Sequence, residues 1–342
     1  MNNSKHILVT GGAGYIGSHT VVELINQGYV PVIADDFRNS EERIISGIEK
    51  ITEVSPQTHR IDVTDLGALE YLFQKYSFIG VIHFAAYKAV GESVASPIKY
   101  YENNLLSLIN CIKLCEKYGV KNVVFSSSCT VYGEPDQALV DEQSALKPAN
   151  SPYGATKQMS ELILQDVVRS KADLKVLSLR YFNPIGAHPS GEIGELPIGA
   201  PSNLVPYITQ TAIGKLAELT VFGDDYDTED GSCVRDFIHV MDLANAHLKG
   251  LEWLSNQEGQ LFDVVNLGTG KGASVLEIIH TFEKVNDISL NWKFGKRRDG
   301  DVSQIYADAS KAKQQLNWVA QKSLEDSMRD AWIWEQKLAN AK

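Results

Sequence analysis

The stretch His6-Ile7-Leu8-Val9-Thr10-Gly11-Gly12-Ala13-Gly14-Tyr15-Ile16-Gly17-Ser18-His19-Thr20 decides the fold. An apolar run meets a glycine cluster, and an amphipathic segment follows. The pattern predicts a strand over 6–10 and a helix over 15–27, joined by a tight turn. Gly12, Gly14 and Gly17, with Gly11 adding a second register through Gly14 and Gly17, are the residues such a turn needs. They permit the tight bend, close approach of backbone to a pyrophosphate, and close packing of helix on strand. The helix N-terminus adds free N–H groups and the positive end of a dipole. A second predicted strand, 29–34, runs into Asp35. A carboxylate there accepts hydrogen bonds from the adenosine ribose and repels a 2′-phosphate, which favours NAD over NADP. A glycine pattern alone would equally suit a structural turn; strand, turn, helix and acid together point to the dinucleotide.

Working outward, strands are predicted over 58–61, 79–84, 120–126 and 175–180, alternating with helices over 41–52, 66–75, 98–118 and 152–170. That alternation implies an α/β fold, a doubly wound parallel Rossmann sheet covered on both faces. Asp62 is expected to end the third strand, and Phe84-Ala85-Ala86 the fourth, on the carboxyl edge where ligands sit. After Phe182 the texture changes. Residues 183–206 contain four Gly and five Pro and read as a long loop. Segments 237–254 and 262–267 read as strand edge plus helix and as a buried strand, both able to return to the main sheet. The expected division is a dinucleotide-binding domain over 1–182 and a smaller mixed α/β domain over 183–342, with about 236–267 packing back. A last helix is predicted near 323–338.

The 342 residues are 44% hydrophobic and 22% charged, an ordinary globular composition. A net charge of −11 opposes general binding to nucleic acid or anionic membrane. A few Arg, Lys and backbone N–H groups can still hold a phosphate. The four cysteines, Cys111, Cys115, Cys129 and Cys233, are too few for a disulfide framework. Cys111 and Cys115 read as small core residues of one helix. Residues 1–5 form no signal-peptide core, no stretch is long and apolar enough to cross a bilayer, and no metal-site motif occurs. A cytoplasmic chain without metal is expected.

Three elements converge on one chemistry. The fifth strand is expected to end in Ser126-Ser127-Ser128. Ser151 and Pro152 suit the start of a helix. Tyr153 and Lys157, four apart, share one face of it. A free phenol has a pKa near ~10 and is a poor base at neutral pH. A nearby ammonium lowers that value, as would the nicotinamide's positive charge. Tyr153 could then take a hydroxyl proton while hydride leaves the same carbon for NAD. Lys157 would fix the nicotinamide ribose, and Ser128 would hydrogen-bond the reacting oxygen. Taken alone, the spacing also fits a helix with a surface Tyr and Lys.

These residues resemble the extended short-chain dehydrogenase/reductase family, and within it the UDP-hexose 4-epimerases. The resemblance runs nearly end to end. It is carried by Val9–Thr20, by Lys88-Ala89-Val90-Gly91-Glu92-Ser93 and by Ser126–Gly133. Tyr181–Gly186, Ala187-His188-Pro189-Ser190-Gly191 and Arg235-Asp236-Phe237-Ile238-His239-Val240-Met241-Asp242-Leu243 extend it. It implies oxidation at the sugar's C4, turning of a 4-keto sugar, and return of hydride from retained NAD to the opposite face. Catalytic roles fall on Ser128, Tyr153 and Lys157. Cofactor contacts fall on Gly11, Gly14, Tyr15, Ile16, Gly17, Asp35, Asp36, Asn39, Ser40, Asp62, Val63, Phe84, Ala85, Lys88, Asn103 and Phe182. Towards a UDP-hexose, Arg235 and Arg298 would clamp the diphosphate. Asn203 and Leu204 would contact it by side chain and backbone, and Asn183 would meet a phosphate oxygen or the sugar. Phe222 would lie along the uracil, and Asp301 would take the uridine ribose. Lys88 and Tyr181 would lie near the sugar.

Two departures matter. Asp36 stands where these enzymes often have Asn, which should strengthen rejection of NADP. Ile305 falls at the substrate gate, where a bulky Tyr excludes an N-acetyl group and a small Cys admits it. Ile leaves UDP-GlcNAc and UDP-GalNAc open as substrates, with UDP-glucose and UDP-galactose favoured. A nucleotide-sugar 4,6-dehydratase would need an added Asp-Glu pair where this chain has Cys129-Thr130. A non-catalytic NAD sensor would commonly lack the Tyr/Lys pair. The family also implies a homodimer through helices near 104–118 and 159–169, whose apolar faces would serve equally well as core.

Overall fold

Alternation along the first strand sends Ile7 and Val9 to one side of a sheet and Leu8 to the other, all fully buried. A computed structural model describes residues 5–170, 173–199, 201–298 and 301–340. The first half runs β1 (His6–Thr10), α1 (Tyr15–Asn26), β2 (Val30–Asp35), α2 (Glu42–Thr52), β3 (Gln57–Arg60), α3 (Leu66–Lys75) and β4 (Phe78–His83). It continues through α4 (Val90–Ala95), α5 (Pro97–Tyr118), β5 (Asn122–Ser126), β6 (Leu139–Val140), α6 (Pro152–Ser170) and β7 (Lys175–Tyr181). The second half comprises β8 (Asn183–Ile185), α7 (Leu204–Ala212), β9 (Leu219–Phe222), β10 (Val234–Arg235), β11 (Phe237–His239), α8 (Val240–Ser255) and β12 (Leu261–Leu267). Last come β13 (Ala273–Ser274), α9 (Val275–Asn286), β14 (Trp292–Gly295), β15 (Gln304–Ala307), α10 (Ser310–Leu316) and α11 (Leu324–Asn340).

The main sheet has seven strands in the order β12-β7-β5-β4-β1-β2-β3, every pair parallel. Strand order reverses at β1 and β4, which places the ligand crevice beyond their carboxyl ends. On one face α1, α2 and α8 bury Val21, Val22, Ile48, Leu243 and Leu251. On the other, α3, α5 and α6 bury Leu69, Leu72, Leu108, Cys111, Cys115 and Leu164. A separate core joins α7, β9, α9 and α11 through Ile208, Val221, Phe282 and Met328. Among the described residues no helix is long and apolar enough to cross a membrane.

Several local expectations need correction. Span 183–206 is not all loop: it opens with β8 and runs into the first turn of α7. β8 pairs with β11 in a two-stranded sheet of its own. So of 237–267 only β12 enters the main sheet, while α8 lies on its surface against α1. Strand ends also fall short. β3 stops at Arg60, β4 at His83 and β5 at Ser126. Asp62, Phe84–Ala86, Ser127 and Ser128 therefore stand in the loops just beyond.

Candidate active site

Gly11 bends the chain at φ +70°, a conformation that L side chains rarely adopt. A Cβ there would stand 2.9 Å from the Ala85 nitrogen, and one on Gly17 would stand 2.3 Å from the Gly11 carbonyl oxygen. The first glycine thus lets the turn lie against the end of β4, and the third lets α1 lie against the turn. Gly14 differs: a Cβ would meet only the Gly11 oxygen within 4 Å, at 3.2 Å. Gly14 is the N-cap of α1, and no side chain caps it and no acid occupies the first turn. The N–H groups at Tyr15 and Ile16 therefore open outward at the positive end of a helix. This is a cradle for a pyrophosphate, and it fits a dinucleotide.

Asp35 is bound into the same turn. Its Oδ2 accepts from Ala13 N at 3.0 Å, and its Oδ1 from Phe37 N at 2.9 Å and Ser40 Oγ at 3.0 Å. A carboxylate has about four acceptor sites, so one remains on Oδ2 for a ribose hydroxyl. Burial pushes the Asp35 carboxyl above its ordinary pKa, while those donors pull it down. Ser40 is buried and Asn39 exposed. Beyond β3, Asp62 accepts from Thr64 N at 2.9 Å and Thr64 Oγ1 at 2.6 Å. The neighbouring Val63 carbonyl accepts from Asn110 Nδ2 at 3.3 Å. Beyond β4, the Phe84 ring packs on His247 at 4.6 Å. Asn103 donates to Asn104 Oδ1 at 3.0 Å.

Ser128, Tyr153 and Lys157 are brought together and are all buried. Ser151 Oγ accepts from Gly154 N at 3.2 Å and so fixes the first turn of α6. Lys157 Nζ donates to the Ser126 carbonyl oxygen at 2.6 Å and lies 5.8 Å from the centre of the Tyr153 ring. One expectation is overturned here. Burial holds the Tyr153 phenol well above its ordinary pKa, Tyr181 adds to the rise, and Ser128 only partly opposes it. Burial also pulls Lys157 down to about 8, and its Nζ donates to a backbone carbonyl.

On the substrate side the expected residues fall into small groups. Lys88 Nζ and Asn203 Nδ2 meet on one acid, Glu195, at 2.8 and 2.6 Å. Asn203 is also the N-cap of α7, which starts at Leu204 and has no side-chain cap. Arg235, in β10, lies 3.6 Å from Asp301 and opposite Ile305 of β15. The Arg298 guanidinium stacks 4.0 Å over the Phe222 ring. Asp299 and Gly300, between Arg298 and Asp301, lie outside the described residues. Ile305 is buried with Phe182, Val131 and Tyr132. Tyr181 Oη accepts from Ser126 Oγ at 3.0 Å. Asn183 N donates to the Asp236 carbonyl at 2.9 Å. Among the described residues no group of three or more His, Cys, Asp or Glu could hold a metal.

Three charged supports were not anticipated. Glu161, one turn past Lys157, receives Ser127 Oγ at 2.6 Å and a fork from Arg180 at 3.0 and 2.6 Å. Arg180 also donates to Tyr132 Oη at 3.2 Å, and Tyr132 donates to Asn266 Oδ1 at 2.6 Å. This buried network locks the loop carrying Ser128 to the helix carrying Tyr153. Asp236, beside Arg235, receives Thr269 N and Oγ1, Gly270 N and Ala307 N. Glu195 is the third. For Glu161 the available signal was an acid on a packed helix face, since buried acids occur almost only with partners.

Known proteins resemble this chain along nearly its whole length. A family profile described as GDP-mannose 4,6 dehydratase matches residues 8–331. A UDP-glucose 4-epimerase of Bacillus subtilis is 49% identical over 98% of this chain and 98% of its own. The crystal structure of UDP-glucose 4-epimerase from Bifidobacterium longum, in complex with NAD+ and UDP, superposes with a TM-score of 0.95 at 43% identity, covering 99% of this chain and 100% of that one. The enzyme from Stenotrophomonas maltophila, with bound NAD and formylated UDP-arabinopyranose, gives 0.96 at 45% identity over 99% and 100% of the two chains.

Proposed function

This chain belongs to the UDP-glucose 4-epimerase family of extended short-chain dehydrogenases/reductases, and on that premise we propose that it interconverts UDP-glucose and UDP-galactose. The reaction is a reversible 4-epimerisation through a 4-keto sugar, with NAD as a resident cofactor. The observation that carries it is the buried Ser128–Tyr153 pair with Lys157 one helical turn away.

Bound NAD supplies a hydride acceptor and a positive charge at this site. The chain's residues do the rest. The α1 N-terminus and Asp35 hold the dinucleotide. Ser128 and Tyr153 meet the sugar's 4-hydroxyl, and the Tyr153 oxygen takes its proton. The phenol's raised pKa keeps it protonated while the site is empty of charge, so the base forms only where cationic charge gathers. Lys157, anchored on Ser126, contributes one such charge. Arg235 and Arg298 suit the diphosphate, and Phe222 and Asp301 the uridine. A firm hold on UDP with few fixed contacts at the hexose lets the keto sugar turn between its two faces.

Cys129-Thr130 beyond Ser128 supplies no acid–base pair for loss of water, which speaks against a 4,6-dehydratase. Ile305 leaves N-acetylated UDP-hexosamines as a second substrate class. A homodimer is the assembly we favour. Val94, Ile98, Leu106, Met159 and Leu162 leave 41–66% of their surface exposed on the neighbouring helices α4, α5 and α6. Four free cysteines suit a reducing compartment such as the cytoplasm, and the reaction suits galactose metabolism. The deciding assay incubates the protein with UDP-galactose. UDP-glucose as product supports the proposal, a 4-keto-6-deoxy product would favour the dehydratase, and no turnover a sensor.

A further inference from the structure

The loops beyond β2, β3 and β4 are tied together by one side chain that has no part in the account above. Arg38 N donates to Asp36 Oδ1 at 2.8 Å, and Arg38 Nε lies 3.1 Å from Asp36 Oδ2. Its Nη1 donates to Tyr87 Oη at 3.1 Å, and its Nη2 donates to Asp62. Asp36 follows β2, Asp62 follows β3 and Tyr87 follows β4. One planar fork thus spans three adjacent strand ends, and it lets two carboxylates face each other across the gap. Arg38, Thr64, Tyr87 and Asn103 line an open cleft of about 680 Å³ at this edge.

The position of this bridge relative to the dinucleotide follows from the chain. A pyrophosphate at the α1 N-terminus and a ribose at Asp35 leave the adenosine to run outward between the loops carrying Asp36 and Asp62. Arg38 crosses that gap. Asp35 accepts from Ala13 on the glycine turn, and Asp36, the next residue, accepts from Arg38, so turn and bridge are linked through adjacent residues. An isolated exposed ion pair contributes little to stability. A fork closed on two acids and a phenol across a binding gap has a different use. A redox-neutral reaction returns its cofactor unchanged, so slow cofactor exit does not limit turnover.

We propose that Arg38 is a strap across the adenosine end of the cofactor site that holds NAD in place between turnovers. The inference rests on the NAD reading above. The test is loss of NAD from purified protein after rapid desalting, followed by absorbance of the nucleotide that remains with the protein. R38A loses NAD at least tenfold faster than the parent, and R38K, with the charge but not the fork, falls between them. Activity lost on desalting returns when NAD is added back. A melting curve without NAD shows that R38A is folded. An R38A protein that keeps NAD as long as the parent, or longer, overturns the strap. A parent that binds no NAD at all overturns the cofactor reading and the strap with it.

Discussion

Lys157 Nζ reaches the Ser126 carbonyl oxygen at 2.6 Å, so the ammonium is tied to the end of β5 and not to the oxygen of Tyr153. The same Nζ stands 5.8 Å from the centre of the Tyr153 ring. Two elements distant in sequence, a strand end and a helix, are therefore registered by the same amine that supplies the charge.

A pH dependence follows. Burial brings Lys157 to about 8, with Glu161 acting in the opposite sense. The cation is present below that value and is lost as pH rises through it. Epimerisation should fall on the alkaline side with an apparent pKa near 8, and K157M should lose at least about a hundredfold at neutral pH. A rate–pH profile checks both, and a parental rate level from pH 7 to 9.5 contradicts them. The linkage to stability has its own sign. Between about 8 and the ordinary Lys value of ~10.4, the unfolded chain binds a proton that the folded one lacks. This group's contribution to stability therefore rises with pH across that window.

The Glu161–Arg180 pair has side chains only 6% and 5% exposed. Removing one partner of such a pair leaves an uncompensated buried charge and costs about 3–5 kcal/mol. E161A should lower the melting temperature sharply. S127A removes only one of the carboxylate's donors and should cost roughly 1 kcal/mol. If Glu161 also sets the register between Ser128 and Tyr153, S127A should lower kcat while leaving KM for UDP-galactose close to the parent's. Equal melting of E161A and parent would show that the network carries no load.

Ile305 is 4% exposed and stands opposite Arg235 in the β10–β15 pair. If it gates the substrate pocket as proposed, its size sets the room left near the sugar, and a methylene in a pocket is worth roughly 10–200-fold in discrimination. I305C should raise kcat/KM for UDP-GalNAc relative to UDP-galactose by about tenfold, and I305Y should lower it. Side-by-side assays with the two substrates give the ratio. An unchanged ratio in both variants removes Ile305 from the gate.

The glycine turn, Asp35 and the Tyr153–Lys157 spacing were legible because each is a local pattern with one demanding backbone or helix geometry. Ser128 was legible from its place at a strand end. What the chain hid is non-local. β8 is only Asn183–Ile185, and its partner β11 lies more than fifty residues away, so no window could contain the pair. Glu161 lies in a helix and Arg180 in a strand, nineteen residues apart; only folding brings them within 2.6 Å. Glu195 sat in a Gly- and Pro-rich span where charge carries no periodic meaning. The Tyr153 pKa was misjudged for a related reason. Sequence spacing shows the neighbouring amine but not the burial around both groups, and burial is the larger effect.

The central claim is that the Tyr153 oxygen takes the proton of the sugar's 4-hydroxyl. The direct measurement is the rate at which Y153F converts UDP-galactose to UDP-glucose at saturating substrate, with bound NAD quantified in the same sample. A fall of about 10²–10⁴-fold, in protein that still carries NAD, is the predicted result. Conversion at the parental rate would contradict it.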